Sequence, residues 1–270
     1  MTKGGKRVSI ARTYGGLSSD ERRADRRSRL LDAGLHLFGT VGYPAVTIPH
    51  ICSRAGVTAR HFYEEFVSRE ALLKEIYDDI SVALLYRIRQ AIFGEDKSVA
   101  KVVRAGCAAF AEYLTSDPRC ARIFSIEVAG ISRDLDHHRL EMRRRFAQLN
   151  LESSQRLRQV AFDPGVDLGV VAILLTGAAD ALMSEWALTR EPSVPVLIDS
   201  LTTVWMRSLQ LDRLDEMIAN GSVVSPLLPQ VVEAPQPAVK RPPPGPENER
   251  EVPQELSLRA KGSKRKASKH

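Results

Sequence analysis

The sequence predicts an all-α fold of about nine helices, with disordered segments at both ends. Apolar residues recur at spacings of three and four residues between about residues 18 and 219, and strand-like alternating runs are absent. Short breaks that contain Gly or Pro divide this region, for instance at Gly39 to Pro44 and at Ser116 to Pro118. A chain of 270 residues is long enough for two modest domains with real cores.

The two ends of the chain differ in composition from the middle. Residues 1–17 are polar and basic without a helical period, and residues 220–270 are first Pro-rich and then Lys-rich. Because Pro stops a helix and a Lys-Ser-Gly mixture buries little apolar area, we expect both ends to be disordered. The first could act as a minor-groove arm and the second could add non-specific DNA affinity, or both could be inert.

The composition indicates a cytoplasmic protein with a polyanionic partner. The net charge is +6, which favours such a partner only weakly. The three widely spaced cysteines, Cys52, Cys107 and Cys120, predict reduced and mostly buried thiols. The N-terminal lysines are not followed by an apolar stretch, so a secretory signal is not expected. The longest apolar run, Leu168 to Ala179, is shorter than the roughly 20 residues that cross a bilayer, so no membrane contact is expected.

The first helix begins with a capping box. Ser18 and Glu21 have the spacing at which each side chain bonds the other residue's backbone N–H. Leu31, Leu35 and Phe38 then form one apolar stripe. Arginines crowd the first turns, where they form either a solvated face or phosphate contacts: Arg22, Arg23, Arg26, Arg27 and Arg29.

Gly39 and Gly42 are expected to end the first helix, and Thr47 to cap the second. The second helix tolerates Pro49 because this residue falls in its first turn. It keeps one apolar face, made by Ile48, Ile51, Cys52 and Ala55.

A glycine turn joins the second helix to a short third helix. Gly56 follows the second helix at the point where a sharp turn needs a positive φ angle. Thr58 caps the third helix, whose buried face is Phe62 and Phe66. Two short helices joined by a Gly turn and braced by a longer helix are typical of a helix-turn-helix.

This stretch resembles the N-terminal domain of the TetR family of transcriptional regulators. The resemblance covers about 55 residues, and the sequence departs from the family pattern at Glu65 and Val67. Its matching residues are Leu37-Phe38, Gly42-Tyr43, Thr47-Ile48, Ile51-Cys52, Ala55-Gly56-Val57-Thr58, Phe62-Tyr63, Phe66 and Arg69-Glu70-Ala71-Leu72.

The resemblance implies a DNA-binding domain at residues 18–68 and a set of DNA-contacting side chains. Within that set Arg60 is the best candidate for reading guanine, because a guanidinium can bond O6 and N7 together. Glu64 and Glu65 either accept base amino groups or pair with arginines of the first helix. The implied DNA-binding residues are Thr47, Thr58, Ala59, Arg60, His61, Tyr63 and Arg69.

Residues 69–219 are expected to form a ligand-binding and dimerisation domain, as the resemblance implies. A lipophilic small molecule would sit among the middle helices. Glu127 would be a buried polar anchor that needs a partner such as Arg122 or Arg133. The candidate ligand-binding residues are Phe110, Tyr113, Leu114, Phe124, Glu127 and Phe146.

The last two helices are expected to form a homodimer interface. Leu168 to Met183 is apolar on all sides and must be covered all round, either by a second chain or by an internal core. A dimer also places two recognition helices one turn of DNA apart, where they read a near-palindrome. The candidate interface residues are Leu168, Val171, Leu175, Ala178, Leu182, Leu197, Leu201, Val204 and Trp205.

The sequence therefore predicts a DNA-binding transcriptional regulator, most simply a repressor that a ligand releases from its operator. An architectural protein that coats DNA is the alternative, followed by a helical small-molecule-binding protein or enzyme. No catalytic motif, cofactor or metal site is predicted. The cluster of Asp134, Asp136, His137 and His138 is expected to be a solvated loop.

Overall fold

The structure is a computed structural model that describes residues 18–93, 98–158, 167–209, 211, 216 and 220–221. These residues form helices and turns without a β-strand, which confirms the all-α class. Both predicted disordered ends lie outside the described residues, apart from residues 220 and 221. The α-helices are α1 Ser19–Thr40, α2 Ile48–Ala55, α3 Ala59–Glu65, α4 Arg69–Ile92, α5 Val99–Ser116, α6 Pro118–Arg122, α7 Arg133–Arg158, α8 Leu168–Thr189 and α9 Val194–Ser208.

Local side-chain chemistry sets the ends of the first three helices, as predicted. Ser18 and Glu21 form the capping box of α1. Thr47 and Thr58 accept hydrogen bonds from backbone N–H groups of α2 and α3. Gly56 lies in the left-handed region, with φ 63° and ψ 38°, and makes the turn between α2 and α3. The predicted helix-turn-helix is therefore confirmed.

Gly39 does not end α1, because the helix continues to Thr40. Its importance is the close approach of α6: a Cβ atom at Gly39 would lie 2.4 Å from the Arg119 Cβ and 2.9 Å from its Cα. Gly42 does leave the helix, with φ 97°, and a 3₁₀ turn at Tyr43–Ala45 follows. The glycines thus allow close packing and chain reversal at the base of the DNA-binding helices.

A continuous apolar core runs from α1, α2 and α3 into the helices that follow. The long α4 contributes Leu72, Tyr77 and Leu84 to this core, and α8 contributes Met183 and Trp186. Between α6 and α7 the chain forms a π-helical turn, Ile123–Glu127, that the sequence pattern did not predict. The predicted short cluster at Asp134 to His138 lies on the first turns of α7 and not in a loop.

Helix α8 is longer than the apolar run read from the sequence. It spans 22 residues and is, by length and composition, long and apolar enough to cross a membrane, with 28% of its most apolar window buried. One face of α8 packs against α7, whereas Ile173 and Leu174 on another face are 61% and 65% exposed. An exposed apolar face of this kind is typical of a surface that binds a partner.

Candidate DNA-binding surface, joint and cavity

The predicted recognition helix α3 presents its polar side to solvent. Phe62 is fully buried, while the neighbouring Tyr63 is 59% exposed. Thr58, Ala59 and Arg60 are exposed at the start of the helix, and His61 is partly exposed. Thr47 is exposed at the start of α2. These side chains are free to reach a DNA duplex.

Arg60 is held only weakly in the free protein. Its Nε lies 3.1 Å from Glu64 Oε1, in an ion pair between two exposed side chains one helical turn apart. Exposed pairs of this spacing stabilise a helix by about 0.3–0.5 kcal/mol. Arg60 can therefore exchange Glu64 for a base or phosphate at small cost.

Glu65 turns inward and joins α3 to α1. Its side chain is only 2% exposed and accepts from Arg23 Nε at 2.8 Å, with Arg27 Nη1 at 3.3 Å from its other oxygen. Arg27 also reaches Glu75 on α4 at 2.5 Å. Of the two interpretations that the sequence left open, pairing with helix-1 arginines is correct for Glu65. At least Arg23 and Arg27 are thus structural residues and not a free phosphate-binding face.

Arg69 is also used inside the domain. Its guanidinium donates to the carbonyl oxygens of Tyr43, at 3.0 Å, and Val46, and stacks over the Tyr43 ring at 4.1 Å. The resemblance implied a DNA contact for Arg69. In the structure its Nη1 fixes the turn between α1 and α2, and the DNA contact stays a prediction.

A buried carboxylate connects this turn to the second domain. Glu127, at the end of the π-helical turn, accepts a 2.6 Å hydrogen bond from the backbone N–H of Tyr43. Arg122 Nε donates to the other Glu127 oxygen at 2.7 Å, and Arg122 Nη1 donates to the Thr40 carbonyl at 3.0 Å. Because Gly42 has no side chain, both groups pack directly over it. We name Glu127, Arg122, Tyr43 and Gly42 the joint.

The helices after α3 enclose a cavity of about 100 Å³ between α4, α5, α7, α8 and α9. Most of its wall is aliphatic or aromatic. The predicted ligand residues Phe110, Phe124 and Phe146 line it, with ring centroids of neighbouring pairs 5.8 to 6.5 Å apart. Phe124 belongs to the same five-residue π-helical turn as Glu127.

The other three predicted ligand residues lie outside the cavity wall. Leu114 is buried in the core, and Tyr113 stacks with Arg87. Glu127 finds the partner Arg122 that the sequence analysis named, but it points to the turn after α1. The periodicity of α5 showed which residues are buried, and only the positions of its neighbours distinguish cavity wall from core.

The cavity has a charged corner that sequence reasoning missed, in addition to the uncharged polar side chains of Asn150, Ser153 and Thr176. Arg139 and Arg143 on α7 share Asp180 on α8, with N–O distances of 3.0 and 3.9 Å. Tyr77 contributes its ring to the same region, and burial raises the pKa of its hydroxyl to about 12. Burial likewise raises the pKa of the Cys107 thiol on the cavity wall to about 11. Both groups are therefore neutral at pH 7.

The predicted interface residues divide into two groups. Leu168, Leu175, Leu197 and Leu201 are buried by their own chain. Val171, Leu182 and Trp205 are half-buried, and only Ala178 and Val204 are exposed. The exposed apolar stripe, which we name the α8 stripe, consists of Val170, Ile173, Leu174, Ala178, Ala181 and Leu188.

The described residues contain no group of three His, Cys, Asp or Glu side chains placed to hold a metal ion. His138 pairs with Asp78 of α4, and Asp136 accepts from the Gly130 N–H at 3.0 Å. Both side chains stabilise the start of α7. The cysteines are buried, free thiols.

Comparison with known proteins points to one family. Residues 30–76 match the family model described as bacterial regulatory proteins, tetR family. This match spans most of α1, all of α2 and α3, and the beginning of α4, which is the helix-turn-helix with its flanking supports.

Two relatives and one solved structure carry names of the same kind. The uncharacterized HTH-type transcriptional regulator YerO of Bacillus subtilis strain 168 is 23% identical over 226 residues, 80% of this chain and 73% of YerO. The HTH-type transcriptional repressor ComR of Escherichia coli strain K12 is 29% identical over 100 residues, 37% of this chain and 48% of ComR. The crystal structure of the transcriptional regulator FadR from Bacillus subtilis in complex with stearoyl-CoA aligns with a TM-score of 0.60 at 15% identity, covering 66% of this chain and 96% of that chain.

Proposed function

We propose that this chain, whose residues 30–76 match the tetR family model, is a TetR-family transcriptional regulator and acts as a homodimeric repressor released from its operator by a small molecule. One observation carries the release step. The π-helical turn Ile123–Glu127 lines the cavity through Phe124 and binds the DNA-binding helices through Glu127. Phe124 on the cavity wall and Glu127 in the joint are therefore only three residues apart on one backbone turn.

The DNA-binding end would use α3 in the major groove. Arg60 would read a guanine, and the exposed hydroxyls of Thr47 and Tyr63 would bind phosphates. Arg23, Arg27 and Arg69 hold the three helices in place through the ion pairs and hydrogen bonds described above. An architectural protein that coats DNA has no need of such an ordered, single reading surface.

The α8 stripe would be covered by a second copy of the chain. From Val170 to Ala181 its residues recur at spacings of three and four, so they form one apolar face over this part of the helix; the exposed Glu185 separates them from Leu188. Val196 and Val204 add exposed apolar area on α9. A two-fold pairing of such faces gives a four-helix interface and sets the spacing of the two α3 helices.

Ligand control would act as a shift between two positions of the DNA-binding helices. FadR of Bacillus subtilis was solved with stearoyl-CoA, and ComR is named a repressor; we extend ligand control and repression to this chain as part of the proposal. A ligand that displaces Phe124 moves the backbone that carries Glu127, and Tyr43 follows through its N–H. The effect equals the difference in ligand affinity between the two positions.

As a regulator of this family the chain is proposed to act in the bacterial cytoplasm and to have no catalytic activity. Its partners would be a near-palindromic duplex, a second copy of itself and a lipophilic ligand. The sign of regulation follows from where the operator lies relative to the promoter.

The decisive experiment selects bound fragments from a random duplex pool at about 150 mM salt, which suppresses non-specific phosphate binding. We expect enrichment of a near-palindrome by the native protein and its loss in an Arg60→Ala, Tyr63→Ala double variant. Arg144→Ala, which removes an exposed arginine from α7, is the matched control and should select the same sequence. Equal affinity for every duplex with a steep salt slope would instead favour the architectural alternative.

Two further measurements separate dimerisation from release. Leu174→Glu should produce monomers in sedimentation equilibrium, while Val82→Glu, on the exposed side of α4, should not. A panel of lipophilic compounds should contain at least one that weakens operator binding about tenfold or more. Unchanged operator affinity across the whole panel would contradict ligand control.

A further inference from the structure

The cavity wall carries a charge imbalance that constrains its ligand. Its charged lining residues are the two guanidinium groups of Arg139 and Arg143 and the carboxylate of Asp180. Tyr77 and Cys107 are neutral at pH 7, since burial raises their pKa values to about 12 and about 11. The wall therefore holds one positive charge in excess, inside surroundings that are otherwise mostly apolar. The Arg143 side chain is 40% exposed, so this excess charge is partly hydrated, and an anionic ligand group can replace water beside it.

The excess charge is located at Arg143. Arg139 donates to Asp180 at 3.0 Å, and both side chains are mostly buried. Arg143 lies 3.9 Å from the same oxygen, beyond hydrogen-bond distance. Among the residues that the structure describes, Arg143 makes no hydrogen bond, so its donors are available to a ligand.

The cavity is also elongated. Along α7 its wall is formed by Arg139, Arg143, Phe146, Asn150 and Ser153, which recur on one face of the helix. Fourteen residues of α-helix separate the first from the last, which is about 21 Å. The far end is closed by apolar residues of α9 and beyond: Leu201, Trp205, Leu209 and Leu211.

The charged corner lies at the end nearest the joint. Phe124 stacks on Tyr77 with ring centroids 5.9 Å apart, and both line the cavity beside Arg139. Ser184, one turn after Asp180, donates to the Asp180 carbonyl at 2.9 Å and approaches the Ser125 carbonyl at 3.5 Å. A group bound at this corner thus contacts the elements that hold the π-helical turn.

We infer that the cavity binds a linear amphipathic carboxylate, whose head pairs with Arg143 and Arg139 and whose apolar tail runs along α7 toward Trp205. The inference rests on the proposed ligand role of this cavity and adds the chemical class of the ligand. Binding satisfies the excess charge and fills the apolar end, whereas an alcohol of equal length fills the tail site only. The head at the corner and not the tail carries the signal to Phe124.

Paired probes test this inference in the absence of DNA. Dodecanoate and 1-dodecanol are titrated against the full-length protein by displacement of Nile red, an uncharged dye. The native protein should prefer dodecanoate by about tenfold or more, since hydrogen bonds to charged groups are worth more than neutral ones. Arg143→Gln should lower that preference about tenfold and leave dodecanol binding unchanged. Arg144→Gln, next to it but exposed, should leave both affinities unchanged.

A second variant reverses the sign of the effect. Asp180→Asn raises the excess positive charge of the wall, so it should tighten dodecanoate binding and leave dodecanol binding unchanged. Equal binding of both probes by the native protein, or an Arg143→Gln variant with an unchanged preference, would overturn the inference. Tighter binding of dodecanoyl coenzyme A that is insensitive to Arg143→Gln would also overturn it, because the thioester has no chain carboxylate.

Operator binding distinguishes failure of this inference from failure of the proposed function. If dodecanoate binds with the expected charge dependence but leaves operator affinity unchanged, the carboxylate site is supported and ligand-controlled release of the operator is contradicted. If an uncharged compound releases the operator and binds equally well to Arg143→Gln, ligand-controlled release is supported and the carboxylate site is contradicted.

Discussion

The DNA-binding helices and the cavity helices are held together by different kinds of contact. In α1 to α3, the N-terminal part of the continuous apolar core is flanked by helix caps and by the ion pairs of Glu65 with Arg23 and Arg27. In the cavity domain, long helices pack through aliphatic and aromatic side chains around an incompletely filled space. The first arrangement fixes one geometry, as a reading surface needs. The second leaves room for movement, as a ligand site needs.

The largest effect that would test this contrast is at two adjacent residues of α3. Phe62→Ala removes a fully buried ring and should lower the free energy of unfolding by about 3–5 kcal/mol. Tyr63→Ala, at the exposed neighbour, should change it by less than about 0.5 kcal/mol while weakening operator binding. Urea denaturation and operator titration measure the two quantities. Similar stability losses in both variants would show that Tyr63 belongs to the core.

The next largest loss of stability is expected at the contact between α1 and α6. Gly39→Ala places a methyl group 2.4 Å from the Arg119 Cβ, so α1 and α6 must move apart. The expected loss is about 1–3 kcal/mol, which is typical of overpacking. Thermal unfolding measures it, and operator affinity reports whether the shift reaches α3.

Gly169→Ala is the control for that substitution. Gly169 also lies in a helix, but the nearest atom to its new methyl group is a side-chain oxygen, Asp167 Oδ1 at 3.1 Å. The new methyl group crowds the Asp167 side chain that caps α8, but alanine favours helix over glycine by up to about 1 kcal/mol, so this variant should lose much less stability than Gly39→Ala. A loss equal to that of Gly39→Ala would contradict a special role for the α1–α6 approach.

High pH should weaken the cavity domain through its buried thiols. Burial raises the pKa of Cys107 to about 11 and that of Cys120 to about 12. The unfolded chain, with thiol pKa near 8.5, releases these protons earlier, so stability is present below pH 8.5 and is lost as the pH rises toward 11. By pH 10 the loss should be about 1–2 kcal/mol for each thiol. Urea denaturation at pH 8 and pH 10 measures it, and Cys107→Ala should reduce the slope.

The smallest expected effect is at the ion pairs of the DNA-binding region. Glu65→Gln removes the charge between two arginines and should lower the free energy of unfolding by about 1 kcal/mol, because the arginines are still partly hydrated. Glu64→Gln, at an exposed pair, should change it by less than about 0.5 kcal/mol. The difference should shrink in 1 M salt. A larger effect for Glu64 would reverse our assignment of the two carboxylates.

Sequence reasoning was accurate where the controlling chemistry is local. The capping residues Ser18, Thr47 and Thr58 and the left-handed Gly56 act on the backbone within a few positions of themselves. They could therefore be located from the sequence. The helix-turn-helix and its exposed reading residues followed from them.

The remaining assignments depended on which helix lies beside which. The contacts of Arg69 with the carbonyls of Tyr43 and Val46 could not be foreseen from the sequence, while its DNA contact stays a prediction. The almost uniformly apolar first half of α8 has no pattern that separates its buried face from the exposed stripe. The π-helical turn and the pairing of Arg143 with Asp180 join residues that are remote in sequence or unusual in local geometry, so periodicity could not reveal them.

The connection between Glu127 and Tyr43 uses a backbone N–H, which every residue except proline offers at position 43. At this one contact, the cavity helices therefore bind the backbone at position 43 and not its side chain. Such a connection is well suited to recombination. DNA-binding helices from another protein could be joined to these cavity helices if they keep a small residue at the position of Gly42 and the carbonyl that Arg122 binds. The operator specificity and the ligand specificity of such proteins could then change independently during evolution.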